Sequence, residues 1–229
     1  MTFKVVFLRH GESEWNELNN FTGWNDVNLT KNGIKEAREA GEILKKYNIN
    51  FDIAYTSVLK RAIFTLWKIL KKINQSWIPV YKTWRLNERH YGALQGLNKD
   101  EVIPFYGKKN VIDWRRSFSV IPPKMKSLND KFSGYDNRYS DMKKTDVPLS
   151  ESLDLTLKRV LPYWNDIIVP QIKKNKKIII VAHGNSLRAL IKYLDKIDEK
   201  DVPDLNIPTG KPIIYKFDKY CNPIKYYFI

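Results

Sequence analysis

The sequence contains a single cysteine, Cys221, and no long apolar run. One cysteine excludes an intrachain disulfide and a metal site built from several thiolates, and it suits a reducing compartment. The first apolar run ends at Arg9, which is too soon for a signal peptide. No other run reaches the length that a membrane-spanning helix requires. We therefore expect a cytoplasmic protein without a membrane partner.

Acidic residues are scarce: 25 Asp and Glu stand against 40 Lys and Arg, which gives a net charge of +15. Such a charge either attracts a polyanion, such as nucleic acid or a phosphorylated metabolite, or belongs to a solvated lysine-rich surface. Many lysines form clusters near the predicted ends of elements, such as Lys71-Lys72 and Lys143-Lys144, as surface lysines do. No nucleic-acid-binding pattern accompanies them, so we expect no nucleic-acid partner.

Apolar β-rich runs alternate with stretches of helical periodicity. The runs predict strands, and the periodic stretches predict amphipathic helices that follow them. This alternation predicts one α/β sandwich. The predicted strands cover 5–8, 51–55, 78–83, 177–182, 212–217 and 224–229.

Helix starts and breaks have recognisable signals. Thr30, Ser57 and Asn185 each precede a helical stretch and are predicted N-caps. Pro162 lies inside a strong helical pattern and predicts a kink. The tryptophans Trp67, Trp77 and Trp164 are predicted to lie in the core.

The segment 121–149 is polar, contains three prolines and shows no clear period. A loop of this length inside a compact domain is often functional. We interpret it as an excursion or lid on a single domain that spans residues 1–229.

The chain has only three histidines, and two of them, His10 and His183, each lie between an apolar strand and a glycine. If the two strands are parallel neighbours, both imidazoles lie at one edge of the sheet, where ligands bind in open α/β folds. A metal site would need further ligands, and no histidine, cysteine and carboxylate cluster is evident. A phosphoryl site is better supported, because Arg9 and Arg61 can bind the oxygens of a phosphoryl group.

Eight motifs then occur in order: RHGESEWN at 9–16, FTGW at 21–24, TSVLKRA at 56–62, WRLNERHYG at 84–92, QGLNK at 95–99, WRRS at 114–117, AHGNSLR at 182–188 and IPTG at 207–210. In this order and spacing the chain resembles the cofactor-dependent phosphoglycerate mutases of the histidine phosphatase superfamily. The resemblance covers nearly the whole chain. It implies a three-layer α/β/α sandwich around a mostly parallel sheet.

The resemblance also implies an isomerase of glycolysis and gluconeogenesis that interconverts 2- and 3-phosphoglycerate. His10 would be the phosphorylated nucleophile, primed by 2,3-bisphosphoglycerate and without a metal. His183, Arg9 and Arg61 would stabilise the transferring phosphoryl group. Glu88 would be the general acid and base. The residues implied to hold the phosphorylated small-molecule substrate are Asn16, Thr22, Gly23, Arg89, Tyr91, Lys99, Arg115, Arg116, Gly184 and Asn185.

Simpler interpretations exist for residues of two of these motifs. Glu88 could be only the ion-pair partner of Arg85 or Arg89. Arg115 and Arg116 could be a solvated basic pair, although Trp114 beside them and the family match favour phosphate binding. His90 is expected to be structural.

A bisphosphoglycerate synthase or phosphatase, or another histidine phosphatase activity, is the alternative function. Ser13, where glycine tends to accompany synthase activity in the family, and Thr22-Gly23 both favour the mutase. The sequence ends at Ile229 without the lysine-rich tail of many family members, from which we expect more hydrolysis of the phosphohistidine. Relatives form dimers or tetramers, so we expect a homodimer.

Overall fold

The computed structural model describes residues 2–126 and 132–229. Within them, six strands form one sheet. They are β1 (Phe3–Arg9), β2 (Ile53–Thr56), β3 (Val80–Lys82), β4 (Ile178–Ala182), β5 (Ile213–Phe217) and β6 (Pro223–Phe228). Their order is β3-β2-β4-β1-β5-β6. The pairs among β1 to β4 are parallel, and β5 is antiparallel to both of its neighbours.

Helices cover both faces of this sheet. The described helices are α1 (Glu14–Glu17), α2 (Lys31–Lys46), α3 (Lys60–Lys72), α4 (Ile103–Tyr106), α5 (Lys108–Arg116), α6 (Leu153–Tyr163), α7 (Val169–Lys173) and α8 (Gly184–Leu194). Helices α2 and α3 pack on one face, and α6, α7 and α8 pack on the other. This is the predicted three-layer sandwich around a mostly parallel sheet.

Strand β1 shows why the sheet can be covered on both sides. Its side chains alternate, so Val5 and Phe7 join the core beneath α6 and α8, while Val6 and Leu8 join the core beneath α2 and α3. Strand β4 lies between β1 and β2, and all five of its residues are buried. A uniformly apolar strand is what this central position requires.

One of the three predicted N-caps is confirmed. The Thr30 hydroxyl accepts a hydrogen bond from the backbone N of Gly33 at 2.9 Å and begins α2. The prediction for Ser57 is wrong, because α3 begins only after Leu59 and Ser57 bonds elsewhere. The prediction for Asn185 is also wrong, because it lies inside the first turn of α8.

The predicted kink at Pro162 stays a prediction, but the helix changes its hydrogen-bond pattern just after it. Helix α6 gives way to a π-helical turn, Trp164–Ile168, two residues after this proline, which lacks the N–H for the helical ladder. Trp164 is buried in the core. The core predictions for Trp67 and Trp77 are wrong, since these side chains are 51% and 76% exposed.

The predicted excursion at 121–149 includes residues 127–131, which lie outside the described residues. Its described part folds back as three short 3₁₀ turns, Ser133–Tyr135, Asn137–Tyr139 and Lys144–Asp146. Tyr139 stacks on Trp24 with ring centroids 4.8 Å apart. Its role as a lid and the single-domain boundary stay predictions. No helix in the described ranges is long and apolar enough to cross a membrane.

Candidate active site

The two histidines that follow apolar strands lie side by side. Strands β1 and β4 pair in parallel, with Arg9 opposite Ala182. The backbone N of His10 continues the ladder by donating to the carbonyl oxygen of Ala182 at 3.0 Å. The ring centroids of His10 and His183 are therefore only 4.9 Å apart. Parallel pairing of the strands brings both imidazoles to the carboxyl edge of the sheet.

The surroundings of His10 select one form of its ring. Nδ1 lies 2.6 Å from the carbonyl oxygen of Gly11, which can only accept, so Nδ1 carries the proton. Nε2 then holds the lone pair, and Nε of Arg61 donates to it at 3.3 Å. Burial, and then the charges of Arg61 and Arg9, hold the pKa of His10 well below its ordinary value. The ring is neutral near pH 7, with its lone pair available at Nε2.

His183 is oriented by a neighbouring hydroxyl. Its Nε2 lies 2.7 Å from Oγ of Ser57, and its buried Nδ1 has no partner among the described residues. Because the Ser57 hydroxyl already accepts from the backbone N of Leu59, its own proton is free for Nε2 of His183. Burial, followed by the charge of Arg61, lowers the pKa of His183. Nδ1 is thereby left to donate to a ligand.

The two predicted arginines are held by backbone carbonyl groups. Arg61 is fully buried and donates to the carbonyl oxygens of Asn25 and Gly23, both at 2.8 Å. Burial lowers the pKa of Arg61 to about 10, so the guanidinium stays charged at neutral pH. Arg9 donates to the carbonyl oxygen of Ile207 at 2.9 Å, while its buried Nε has no partner in the described part of the chain. Two fixed guanidinium groups therefore flank the imidazoles.

A cavity of about 180 Å³ opens beside these groups. Five of the side chains that line it are cationic, and a single one is anionic. This excess of positive charge suits a small molecule with several negative charges. The lining residues are Arg9, Asn16, Asn20, Thr22, Glu88, Tyr91, Lys99, Arg115, Arg116, Gly184, Asn185, Arg188 and Asn206.

Glu88 is the acidic residue of the cavity. Its Oε1 accepts hydrogen bonds from the backbone N of Arg89 at 2.8 Å and of Asn185 at 3.1 Å. The salt bridges of the described residues include none between Glu88 and Arg85 or Arg89. The geometry therefore does not support the simple ion-pair interpretation of this carboxylate.

Arg89 lies behind the cavity and supports two of its lining residues. Its Nη2 donates to the hydroxyl of Tyr91 at 3.1 Å and to the carbonyl oxygen of Arg115 at 2.8 Å. The amide of Asn185 also donates to the Tyr91 hydroxyl, at 3.1 Å. Burial raises the pKa of Tyr91, but the charge and hydrogen bond of Arg89 together with the charge of Arg188 leave the net pKa below the ordinary value.

The predicted site residue Gly23 and the expected structural residue His90 do not line the cavity, and neither do His10, Arg61 and His183. Gly23 uses its carbonyl oxygen to hold Arg61, and its φ of +54° together with the close approach of Gln95 excludes a side chain there. His90 is buried behind the site, where its Nδ1 accepts from the backbone N of Gly92 at 3.0 Å. Burial lowers the pKa of His90 to about 4, in keeping with a neutral structural residue.

Sequence reasoning missed three lining residues and one supporting residue. Arg188 is the last residue of the AHGNSLR motif, while Asn20 and Asn206 directly precede the FTGW and IPTG motifs. Their positions in or next to these motifs could have identified them as candidate site residues. Ser57 was interpreted as a helix cap, yet its hydroxyl contacts His183. Across the described ranges, no three or more His, Cys, Asp or Glu side chains form a group that could hold a metal ion.

Comparisons with known proteins place the chain in a family. A model of the histidine phosphatase superfamily (branch 1) matches residues 5–133 and 131–228. A protein of Buchnera aphidicola subsp. Cinara cedri, named 2,3-bisphosphoglycerate-dependent phosphoglycerate mutase, is 58% identical over 226 residues, which are 99% of this chain and 98% of the relative. The chain belongs to this mutase family of the histidine phosphatase superfamily.

A second member of the mutase family, from Buchnera aphidicola subsp. Schizaphis graminum, carries the same name. It is 59% identical over 229 residues, which cover 100% of this chain and 99% of the relative. Solved structures share the fold at lower identity. Mycobacterial hydrolase 1 has a TM-score of 0.74 at 21% identity and covers 100% of this chain and 97% of its own. The vanadate complex of mycobacterial glucosyl-3-phosphoglycerate phosphatase has a TM-score of 0.73 at 20% identity, with coverage of 99% and 97%.

Proposed function

We propose that the protein interconverts 2-phosphoglycerate and 3-phosphoglycerate through a phosphohistidine at His10. The observation that carries this proposal is the pair of imidazoles, with ring centroids 4.9 Å apart, beside a cavity with five cations and one carboxylate. The names of both mutase relatives support the same activity. The enzyme is accordingly an isomerase of the phosphoglycerate mutase type.

His10 is the nucleophile of this proposal. Its neutral ring presents the lone pair of Nε2, which attacks the phosphorus atom of the substrate in line with the leaving oxygen. In the transition state of its transfer, a phosphoryl group spreads its charge over three oxygens. Catalysis therefore depends mainly on positive groups at fixed positions around those oxygens. Arg9, Arg61 and Nδ1 of His183 supply those groups from fixed positions.

Glu88 carries the proton. When the free hydroxyl of the substrate attacks phosphohistidine and forms the bisphosphate, the carboxylate accepts its proton. When the other phosphoryl group of the bisphosphate then passes to His10, the carboxyl group donates that proton to the oxygen left behind. The two backbone N–H donors on Oε1, from Arg89 and Asn185, fix the carboxyl group at the cavity wall.

The residues fit 2,3-bisphosphoglycerate as primer. Two buried nitrogen atoms beside the cavity lack a partner among the described residues: Nε of Arg9 and Nδ1 of His183. Such atoms are costly to bury unless a ligand satisfies them, and a molecule with two phosphates and a carboxylate can do so. When bound, it supplies the phosphoryl group that primes His10. Arg9, Lys99, Arg115, Arg116 and Arg188 would hold its charges.

The oligomeric state of the protein and its cellular location are further proposals. The aromatic side chains of Phe64 and Trp67 on α3, which are 37% and 51% exposed with ring centroids 5.5 Å apart, support a homodimer. Light scattering should then give about twice the 27.1 kDa chain mass. A mass equal to one chain would overturn this proposal. The place of the reaction in glycolysis supports a cytoplasmic location.

A coupled assay tests the function. Conversion of 3-phosphoglycerate to pyruvate is followed with and without catalytic 2,3-bisphosphoglycerate, while free phosphate is recorded. We expect stimulated turnover with little phosphate release, and its loss in His10→Ala. Phosphate release without formation of 2-phosphoglycerate would instead show a phosphatase.

A further inference from the structure

Arg159 and Glu151 form a buried ion pair behind the cavity. Nε of Arg159 donates to Oε1 of Glu151 at 2.6 Å, and Nη2 donates to Oε2 at 2.9 Å. The two side chains are only 7% and 4% exposed, and neither lines the cavity. Burying two charges carries a desolvation penalty that further hydrogen bonds must offset. The other partners of the pair therefore indicate what it does.

Those partners all belong to the segment that carries Glu88. Nη1 of Arg159 donates to the carbonyl oxygens of Arg85 at 2.7 Å and of Asn87 at 3.0 Å, and Nη2 donates to that of Glu88 at 2.8 Å. Oε2 of Glu151 accepts from the backbone N of His90 at 2.8 Å. The backbone N of Glu151 donates to the carbonyl oxygen of His90, also at 2.8 Å.

The segment that carries Glu88 has no regular backbone ladder. Residues 87–91 belong to no helix or strand, so their buried polar groups need partners from elsewhere. The ion pair supplies partners on both sides of Glu88 and Arg89. Trp24 adds one more bond, from Nε1 to the carbonyl oxygen of Glu88 at 2.7 Å.

We propose that Arg159 and Glu151 are positioning residues that set the place of the Glu88 carboxylate. The proposal rests on the proposed role of Glu88 as general acid and base. One of the two donors to Oε1 of Glu88 is the backbone N of the next residue, Arg89. A shift of the backbone here therefore moves the carboxylate and its donor together. A general acid must stay within hydrogen-bond reach of the oxygen it serves, so the shift lowers the rate of proton transfer.

The substitution Arg159→Lys tests this role while keeping the charge. A single ammonium group cannot reproduce the planar fork that reaches the carboxylate and three carbonyl oxygens. We expect kcat to fall about 100-fold, as a misplaced catalytic group would cause, with KM within about two-fold of the wild-type value. A retained circular dichroism spectrum establishes that the variant is folded.

A double-mutant cycle separates positioning from a general structural role. In a Glu88→Gln background, Arg159→Lys should lower the remaining rate by less than about two-fold, because the group it positions is already inactive. An equal loss in both backgrounds would overturn the proposal. Lys158→Gln is the matched control, since it removes an exposed ion pair with Asp154 from the same helix and should leave kcat unchanged.

Two further variants keep the proposal testable if Arg159→Lys does not fold. Glu151→Gln keeps the shape of the carboxylate, and Trp24→Phe removes the other bond to the Glu88 carbonyl oxygen without removing a charge. Both should show the same loss of kcat and the same non-additivity with Glu88→Gln. Full turnover by Glu88→Gln alone would overturn the positioning proposal, whereas dependence of turnover on His10 would still support the mutase.

Discussion

His10 and His183 lie at the ends of paired strands, whereas Glu88 lies in a segment without regular structure. We refer to His10, His183 and the strand ends as the strand-end half of the site, and to residues 87–91 as the loop half. In the strand-end half, backbone hydrogen bonds between β1 and β4 set the distance between the imidazoles. In the loop half, the buried ion pair of Arg159 and Glu151 holds the backbone through side-chain hydrogen bonds. One site thus uses two kinds of support, with different weaknesses.

The largest expected effect comes from the strand-end half. His183→Ala removes the Nδ1 donor while the strand pairing stays intact. We expect kcat to fall about 1,000-fold, as losing a fixed donor to transition-state charge does, with a free energy of unfolding near that of the wild type. Steady-state assays and urea unfolding measure the two quantities. A large loss of stability in this variant would contradict the backbone-set geometry of this half.

The loop half should respond in the opposite way. Glu151→Ala leaves the guanidinium of Arg159 buried without its carboxylate. We expect the free energy of unfolding to drop by about 3–5 kcal/mol, the usual cost of breaking a buried pair on one side. Urea denaturation measures this loss. A loss below about 1 kcal/mol, typical of exposed pairs such as Lys158–Asp154, would show that the pair is not a structural support.

The pH dependence of stability tests the burial of His90 in the loop half. Its folded pKa of about 4 lies below the ordinary value of 6.5, so the unfolded chain binds its proton first as pH falls. This contribution is fully present above pH 6.5 and is lost as pH falls from 6.5 towards 4. We expect His90→Gln to reduce the loss of stability between pH 7.5 and 5 by about 2 kcal/mol. Urea unfolding at both pH values measures it, and an unchanged loss would contradict the buried neutral state.

A smaller effect is expected from the hydroxyl that orients His183. Ser57→Ala removes the group that lies 2.7 Å from Nε2 and leaves that nitrogen without a partner. We expect kcat to fall about 10-fold, the rate equivalent of one unmade buried hydrogen bond. The steady-state assay measures it. Ser57→Thr keeps the hydroxyl and serves as the control. Equal losses in both variants would mean that packing, and not the hydrogen bond, is what Ser57 contributes.

The smallest effect lies outside both halves. Thr30→Ala removes the N-cap of α2 and should lower the free energy of unfolding by about 1 kcal/mol without changing kcat. Thermal unfolding and the coupled assay measure these quantities. A change in kcat would show that support from regular elements extends further into the site than we describe.

The strand-end half was predictable from the sequence. Apolar runs ending at Arg9 and Ala182, each followed by histidine and glycine, predicted two strand ends at one edge, and β1 and β4 are indeed parallel neighbours. The alternation of strands and helices predicted the sandwich for the same reason, because periodicity and burial are local properties of the chain. The motif match supplied most of the residues that line the cavity.

The loop half was not predictable in the same way. Arg159 lies among the apolar residues of a helix, and its partners Arg85, Asn87 and Glu88 are more than 70 positions away in sequence, so no local pattern reveals the pairing. Trp67 and Trp77 misled for a related reason, since hydrophobicity alone does not tell which side of a helix or loop faces solvent. Ser57 has the features of a helix cap. Its hydroxyl contacts His183 because β2 and β4 are paired in the sheet, which the local sequence does not reveal.

The identity of the phosphorylated atom tests the central claim most directly. The protein is mixed with 2,3-bisphosphoglycerate, the reaction is stopped, and the protein is digested. NMR of the phosphorylated peptide then identifies the nitrogen that carries the phosphate. We predict phosphate on Nε2 of His10, because Nδ1 is occupied by its hydrogen bond to the carbonyl oxygen of Gly11. Phosphate on Nδ1 of His10, on His183, or on no histidine would contradict the account.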